Sequence, residues 1–378
     1  MQSGTAVLHM TFSPDGSTLA SSSGSAILLW RLARLQPLAT SLVGHTDVAY
    51  TLAFSPDGHT LFSGSWDQTI RRWDGVRGRS VGLPLRGPTS GINSVAVSPN
   101  GRLLAAACSD GSVWIWDLGH GQDLGSVQAS MAPGIQAMVF SPDGKLLATG
   151  SDDHTVQMWT VTRSGGLHAL GPPLEGHTQG IDGLAFSPDG RLLASGSPDG
   201  TVRLWSVARH RPLGPPLVVG ANGVSRIAFS PDGKTLVSGG YWDGAVRFWD
   251  VARRTLVGLP TQTHTDGLSA LTFSPDGKLL ATAGEQLIQV WDVSSRQPLG
   301  APLVGHTRWV QAVAFSPNGR ILASASADAT VKLWDMSLAG WKRLACRIAN
   351  RNLTRQEWRQ YLGDEPYHRT CPGLPEGA

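Results

Sequence analysis

The chain is short of cysteine, of charge and of long apolar runs, and each shortage removes a class of protein. Its three cysteines, Cys108, Cys346 and Cys371, are an odd number without close pairing. They make neither a disulfide framework nor a Cys-x-x-Cys metal site, and they fit a reducing, cytoplasmic compartment. No apolar run approaches the ~20 residues that span a bilayer. The opening MQSGTAVLHM has neither the basic start nor the apolar stretch of a signal peptide. Charged residues make up only 16%. Seven basic and four acidic side chains fall in residues 337–378, which leaves 24 of each sign in residues 1–336. A neutral body lacks the basic stripe that nucleic-acid binding needs, so no such partner is expected. An HExxH motif is absent from the sequence. Gly233-Lys234-Thr235 ends like a phosphate loop, but Ala228 stands where that loop needs its first glycine.

Glycine and proline, by contrast, are abundant, with 46 and 24 residues beside a hydrophobic content of 41%. This is the composition of a folded chain with many turns. The turns are periodic. SPDG or SPNG begins at Ser13, Ser55, Ser98, Ser141, Ser187, Ser230, Ser274 and Ser316, at steps of 42 to 46 residues. A tryptophan follows each one, at Trp30, Trp73, Trp116, Trp159, Trp205, Trp249, Trp291 and Trp334. Eight copies at this period indicate a repeat fold. Each copy reads as short strands around tight turns, as in IDGLAF, RLLASGS and TVRLW of the fifth. Four short strands per unit, repeated around a ring, describe a β-propeller.

The sequence resembles the WD-repeat family through Gly44-His45, Gly176-His177 and Gly305-His306. Trp73-Asp74, Trp116-Asp117, Trp249-Asp250, Trp291-Asp292 and Trp334-Asp335 carry it further. Pro88, Met131 and Ala221 replace the expected histidine in copies three, four and six. The first copy lacks the turn aspartate and the seventh has Glu285 near its place, so these blades are expected to be less braced. The expected fold is a single closed all-β ring over residues 1–336, with eight four-stranded blades, the last incomplete. The alternative is seven blades closed near Leu38–Val43, with Val7–Leu32 left over from a longer array. Residues 337–378 read as a basic helical tail, with Trp341, Leu344, Ala345 and Ile348 on one stripe. Thr354 and Glu357 cap a second helix that presents Trp358, Tyr361 and Leu362. The tail either docks on the propeller or binds a partner. It also resembles tails that follow repeat arrays in bacterial signalling proteins.

Three copies carry sets that look like catalytic triads: His45, Ser63, Asp67 with Trp73; His177, Ser195, Asp199 with Trp205; and His306, Ser324, Asp328 with Trp334. The resemblance implies that each is a buried hydrogen-bonded chain bracing one blade, and repetition of one constellation argues for structure. The histidines show no zinc spacing, and no metal or cofactor is expected. The expected function is a non-catalytic scaffold or sensor that binds a protein or peptide as a monomer. A propeller hydrolase working at the central channel, or the end of a larger signalling NTPase, is the alternative. The resemblance also implies which residues face the channel mouth. The middle residue of Ser-x-Asp gives Trp66, Ser109, Asp152, Pro198, Trp242 and Ala327. The start of the innermost strands gives Tyr50, Asn93, Gln136, Asp182, Ser225, Ser269 and Gln311. Tyr50, Trp66 and Trp242 are the expected anchors, with Asp152 and Asp182 as polar neighbours, because exposed tryptophan marks binding hot spots.

Overall fold

The computed structural model describes residues 5–32, 36–37, 42–75, 77–120, 122–130, 134–162 and 164–336. The tail over 337–378, with its two expected helices, lies outside them, as does Met131. Every strand belongs to one of eight antiparallel sheets, one per repeat. In the fifth blade the strands are Gly183–Phe186, Leu192–Ser197, Thr201–Ser206 and Arg211–Pro212, and Leu217–Val218 continues the outer edge by pairing with the start of Thr201–Ser206. The innermost strand comes first, and the order in space follows the order in sequence. Among the described residues the eighth blade has three strands, Val310–Phe315, Ile321–Ser326 and Val331–Asp335.

Each SPDG turn is held by its own side chains. Ser141 Oγ donates to Asp143 Oδ1 at 2.7 Å, and the amides of Lys145 and Leu146 donate back to Asp143 and Ser141. The glycine closes the turn at φ near +69°, a region that glycine enters without strain. It also has no room for a side chain, because the proline of the preceding blade packs against it. A Cβ on Gly58 would lie 3.2 Å from Pro14 Cδ, and one on Gly101 3.4 Å from Pro56 Cδ.

That contact decides the blade count. A Cβ on Gly16 of the first blade would lie 3.1 Å from Pro317 Cδ of the eighth, so the seam repeats the interior joint. The seam also repeats the interior hydrogen bond. Val7 N donates to Ser326 O at 3.0 Å, as Ala49 N does to Gly24 O and Ile181 N to Ser151 O. Val7, Met10, Phe12, Leu19 and Trp30 pack with Ala323, Ala325 and Val331 in one apolar cluster. The ring has eight blades, and Val7–Leu32 is part of it.

Inside the blades, the tryptophan Nε1 donates to a hydroxyl on the middle strand in seven of eight cases, from Trp73 to Ser63 and Trp205 to Ser195 at 2.8 Å to Trp30 on Ser21 at 3.2 Å. Ala106 occupies that position in the third blade. Blades two, five and eight complete the chain. His177 Nε2 meets Ser195 Oγ at 2.8 Å while its Nδ1 meets Asp199 Oδ2 at 2.8 Å, and His45 and His306 do the same with Ser63, Asp67, Ser324 and Asp328. Burial lowers the pKa of His177, only partly offset by Asp199, so the imidazole stays neutral. Burial alone would raise Asp199, but the Thr201 hydroxyl, the Thr178 amide and His177 hold it below the usual carboxylate range.

The copies without histidine are braced by other donors, which corrects the expectation of weak blades. In the third, Thr89 Oγ1 donates to Asp110 at 3.0 Å. In the fourth, Ser130 Oγ donates to Asp153 at 2.7 Å. In the sixth, the buried Arg247 guanidinium donates to Asp243 at 2.6 Å, joined by Asn222 at 3.0 Å. Among the described residues the first blade has no turn aspartate to brace, and the seventh is left incomplete. Its Glu285 turns to the Thr265 and Asp266 amides, and His264 Nδ1 is buried without a partner.

Two substitutions separate these contributions. Trp205→Ala should cost about 3–5 kcal/mol in urea melts, the range for large buried aromatics. His177→Ala should cost about 1–3 kcal/mol through the partners it leaves unsatisfied. Unchanged urea midpoints would contradict the bracing role.

Candidate functional site

The innermost strand of each blade starts beside the turn between its second and third strands, because Ala49 pairs with Ser65 and Ile135 with Ser151. The residues just beyond those pairs therefore meet at the channel mouth. Tyr50 stacks on Trp66 with ring centres 5.5 Å apart and planes 19° apart. Ser109 Oγ donates to Asn93 Oδ1 at 3.2 Å, and Gln136 Nε2 donates to Asp152 Oδ2 at 3.0 Å. The two sets of positions expected at the mouth are in contact with each other in these blades.

These pairs rim a cavity of about 970 Å³ along the ring axis. Tyr50, Asn93, Gln136, Asp182, Trp242 and Gln311 line it. Trp66 is 47% exposed and Trp242 65%, so neither indole is buried between blades. Ser225 and Ser269 line it as well, but their hydroxyls are taken up by the frame. Ser225 is buried, with its hydroxyl donating to Leu268 O of the next blade at 2.7 Å, and Ser269 reaches Val310 O in the same way. A hydroxyl this short is satisfied by the neighbouring carbonyl, whereas tyrosine, glutamine and aspartate reach the lumen. Ser109, Pro198 and Ala327 are half-buried.

Sequence reasoning missed several residues at the mouth. Tyr241 packs edge-on against Trp242 at 4.7 Å. A signal for it existed, because Ser238 and Trp249 are one residue further apart than the same pair in blades two and five, which lengthens the turn. Trp309, Arg226, His9 and Asp266 line the cavity too. His9 and Arg226 stand where other copies carry threonine, serine, alanine or glycine.

The charges here are unevenly satisfied. Burial pushes the Asp182 carboxyl up to about 6, with Asp152 adding to the rise and Arg226 opposing it. Burial, with Arg226 nearby, lowers His9 to about 4 and leaves it neutral. The triad-like serines Ser63, Ser195 and Ser324 are 0% exposed. Cys108 is buried, and burial pushes its thiol up to about 12, so it is no nucleophile at neutral pH. Among the described residues no group of histidine, cysteine, aspartate and glutamate is arranged to hold a metal, and no helix is long and apolar enough to cross a membrane.

Eight antiparallel blades of three to five described strands, a buried or half-buried tryptophan in each and a cavity shared by all of them define a β-propeller built from Gly-His and Trp-Asp units. The chain belongs to the WD-repeat family. The family described as "WD domain, G-beta repeat" matches residues 2–31, 36–74, 79–117, 121–160, 171–206, 215–250, 257–292 and 297–335. Among curated proteins it is similar to the B-type cell cycle switch protein ccs52A of Medicago truncatula, 38% identical over 77 residues, which are 20% of this chain and 16% of that protein. Protein FIZZY-RELATED 2 of Arabidopsis thaliana is 35% identical over 18% of the chain and 14% of its own length. The small ribosomal subunit protein RACK1 of Caenorhabditis elegans is 32% identical over 20% of the chain and 26% of its own length. The matches thus span about a quarter or less of each relative. The crystal structure of the computationally designed Ika8 protein superposes with a TM-score of 0.75 at 26% identity, covering 89% of this chain and 98% of that one. Sqt1 from Chaetomium thermophilum has a TM-score of 0.77 at 23% identity over 88% and 97%, a likeness of fold alone.

Asp182 gives a pH-dependent test. The folded carboxyl keeps its proton up to about pH 6, while an unperturbed one releases it near 3.8, so ionisation destabilises the fold as pH rises through that window. The groups facing it are Asp152, which strengthens the penalty, and Arg226, which weakens it. Asp182→Asn should therefore melt above the parent at pH 7.5, with the gain vanishing below pH 3.8. Equal melting temperatures at pH 7.5 would contradict the burial of an uncompensated charge.

Proposed function

We propose that the protein is a non-catalytic interaction module that receives a peptide or protein segment at the channel mouth. The observation that carries this reading is the pair of exposed indoles, Trp66 and Trp242, each held by a second aromatic ring on a rigid rim. Leaving such surface in water costs roughly 25 cal/mol per Å², a cost that a binding surface recovers when it is covered. Tyr50, Asn93, Gln136 and Gln311 add polar atoms around the anchors, and Asp152 and Asp182 add charge. The three Ser-His-Asp sets are buried braces, which supports the scaffold reading over a hydrolase. Relatives such as the cell cycle switch proteins and RACK1 fit the same reading. A monomeric, cytoplasmic propeller without a nucleic-acid partner or cofactor completes it. The resemblance of the tail to bacterial signalling proteins adds a sensor role, although the named relatives are eukaryotic.

Peptides selected from a display library on the full chain provide the test. Replacing both Trp66 and Trp242 by alanine should weaken their binding by at least ~2 kcal/mol while the melting transition stays nearly unchanged. Undiminished binding by the double variant would refute this site.

A further inference from the structure

We infer that the mouth selects a segment carrying a basic side chain, arginine or lysine, seated between the Asp152–Asp182 carboxylates and the Tyr241–Trp242 rings. This deepens the interaction reading above and rests on it. The first support is the bonding state of Asp182. The turn aspartates of the frame are saturated: Asp199 takes bonds from Thr178, Thr201 and His177, and Asp243 from Ala245, Asn222 and Arg247. Asp182 lines the channel half-buried, and among the described residues no donor bonds its carboxyl. A partly desolvated carboxylate with free lone pairs is costly unless a cation or a donor meets it.

The second support is the balance of charge. Asp182 and Asp266 line the cavity, and Asp152 stands beside Gln136 at its rim. Against these three carboxylates the lining holds Arg226, while His9 is neutral. Arg226 is engaged already, with Nη1 donating to Ser225 O at 2.8 Å. It also lies one residue further along its strand than the position equivalent to Asp182, so it stands deeper than the acidic rim. An acidic segment would meet net repulsion here, and an apolar one would cover Asp182 without bonding it. A guanidinium or ammonium would do better on both counts. It would bond the carboxylates and lie against aromatic faces, which attract cations through their ring quadrupoles. Trp242 on the same lining, with Tyr241 packed edge-on against it, offers such a face.

The test uses a random dodecapeptide display library selected on the full chain at pH 7.4, with the winning peptides resynthesised and titrated calorimetrically. The expected winners share a fixed arginine or lysine, and changing that residue to glutamine weakens binding about tenfold. Asp182→Asn should cause a similar loss, as expected for one charge-assisted bond. Winners that lose affinity on Trp242→Ala, yet lack a basic residue or bind Asp182→Asn equally well, would overturn the cation inference and leave the mouth as the binding site. Winners indifferent to both tryptophan replacements would overturn the mouth reading, and the inference with it.

Discussion

Each blade of this protein buries both faces of its sheet, so no blade is stable without a neighbour on either side. The middle strands make this plain, since Leu103–Cys108 and Leu192–Ser197 are buried along almost their whole length. A chain of such units either exposes two apolar ends or closes on itself. Exposing the terminal faces would uncover several side chains of the Leu19, Trp30 and Val331 kind, each worth about 1.5–3 kcal/mol when buried. That is a large share of the marginal stability of any domain. Closure is therefore the constraint on which the rest depends. It is met by repeating the interior joint at the seam, with the same proline-on-glycine contact and the same backbone hydrogen bond.

A closed ring has consequences for what its side chains can do. Residues at equivalent positions face a common axis, so substitutions at a few of them create a site without disturbing the frame. The polar braces and the mouth thus divide the work. Asp67, Asp199 and Asp328 are saturated and held in the ionised form, which suits a frame. Asp182 has its pKa shifted in the opposite direction and has no donor of its own among the described residues.

The sequence made the ring legible because its determinants are local and repeated. Ser-Pro-Asp-Gly forms each turn from its own atoms, and a tryptophan follows at a nearly constant distance. Complete Ser-His-Asp sets could be read for the same reason. Their substitutes could not, because the repeat places a basic residue or a threonine at the positions of Arg247 and Thr89 in complete copies too, and nothing local says that either will turn to the carboxylate when the histidine is missing. At the mouth, positions were legible and roles were not. Ser225 and Asp182 occupy equivalent places, yet one hydroxyl bonds the next blade's carbonyl while the carboxyl faces the lumen. Side-chain length and the nearest free acceptor decide that difference, and both depend on the assembled ring. Arg226, His9 and Trp309 were missed because they reach the axis from neighbouring positions that most copies fill with small or ordinary polar residues.

The seam is where this account is most exposed. Hydrogen exchange resolved at single amides would test it, using the three equivalent donors Val7, Ala49 and Ile181. The account predicts that Val7, at the seam, is protected to the same degree as Ala49 and Ile181 at interior joints. A Val7 amide that exchanges orders of magnitude faster than the other two would show an open ring, and would contradict both the closure and the shared mouth that depends on it.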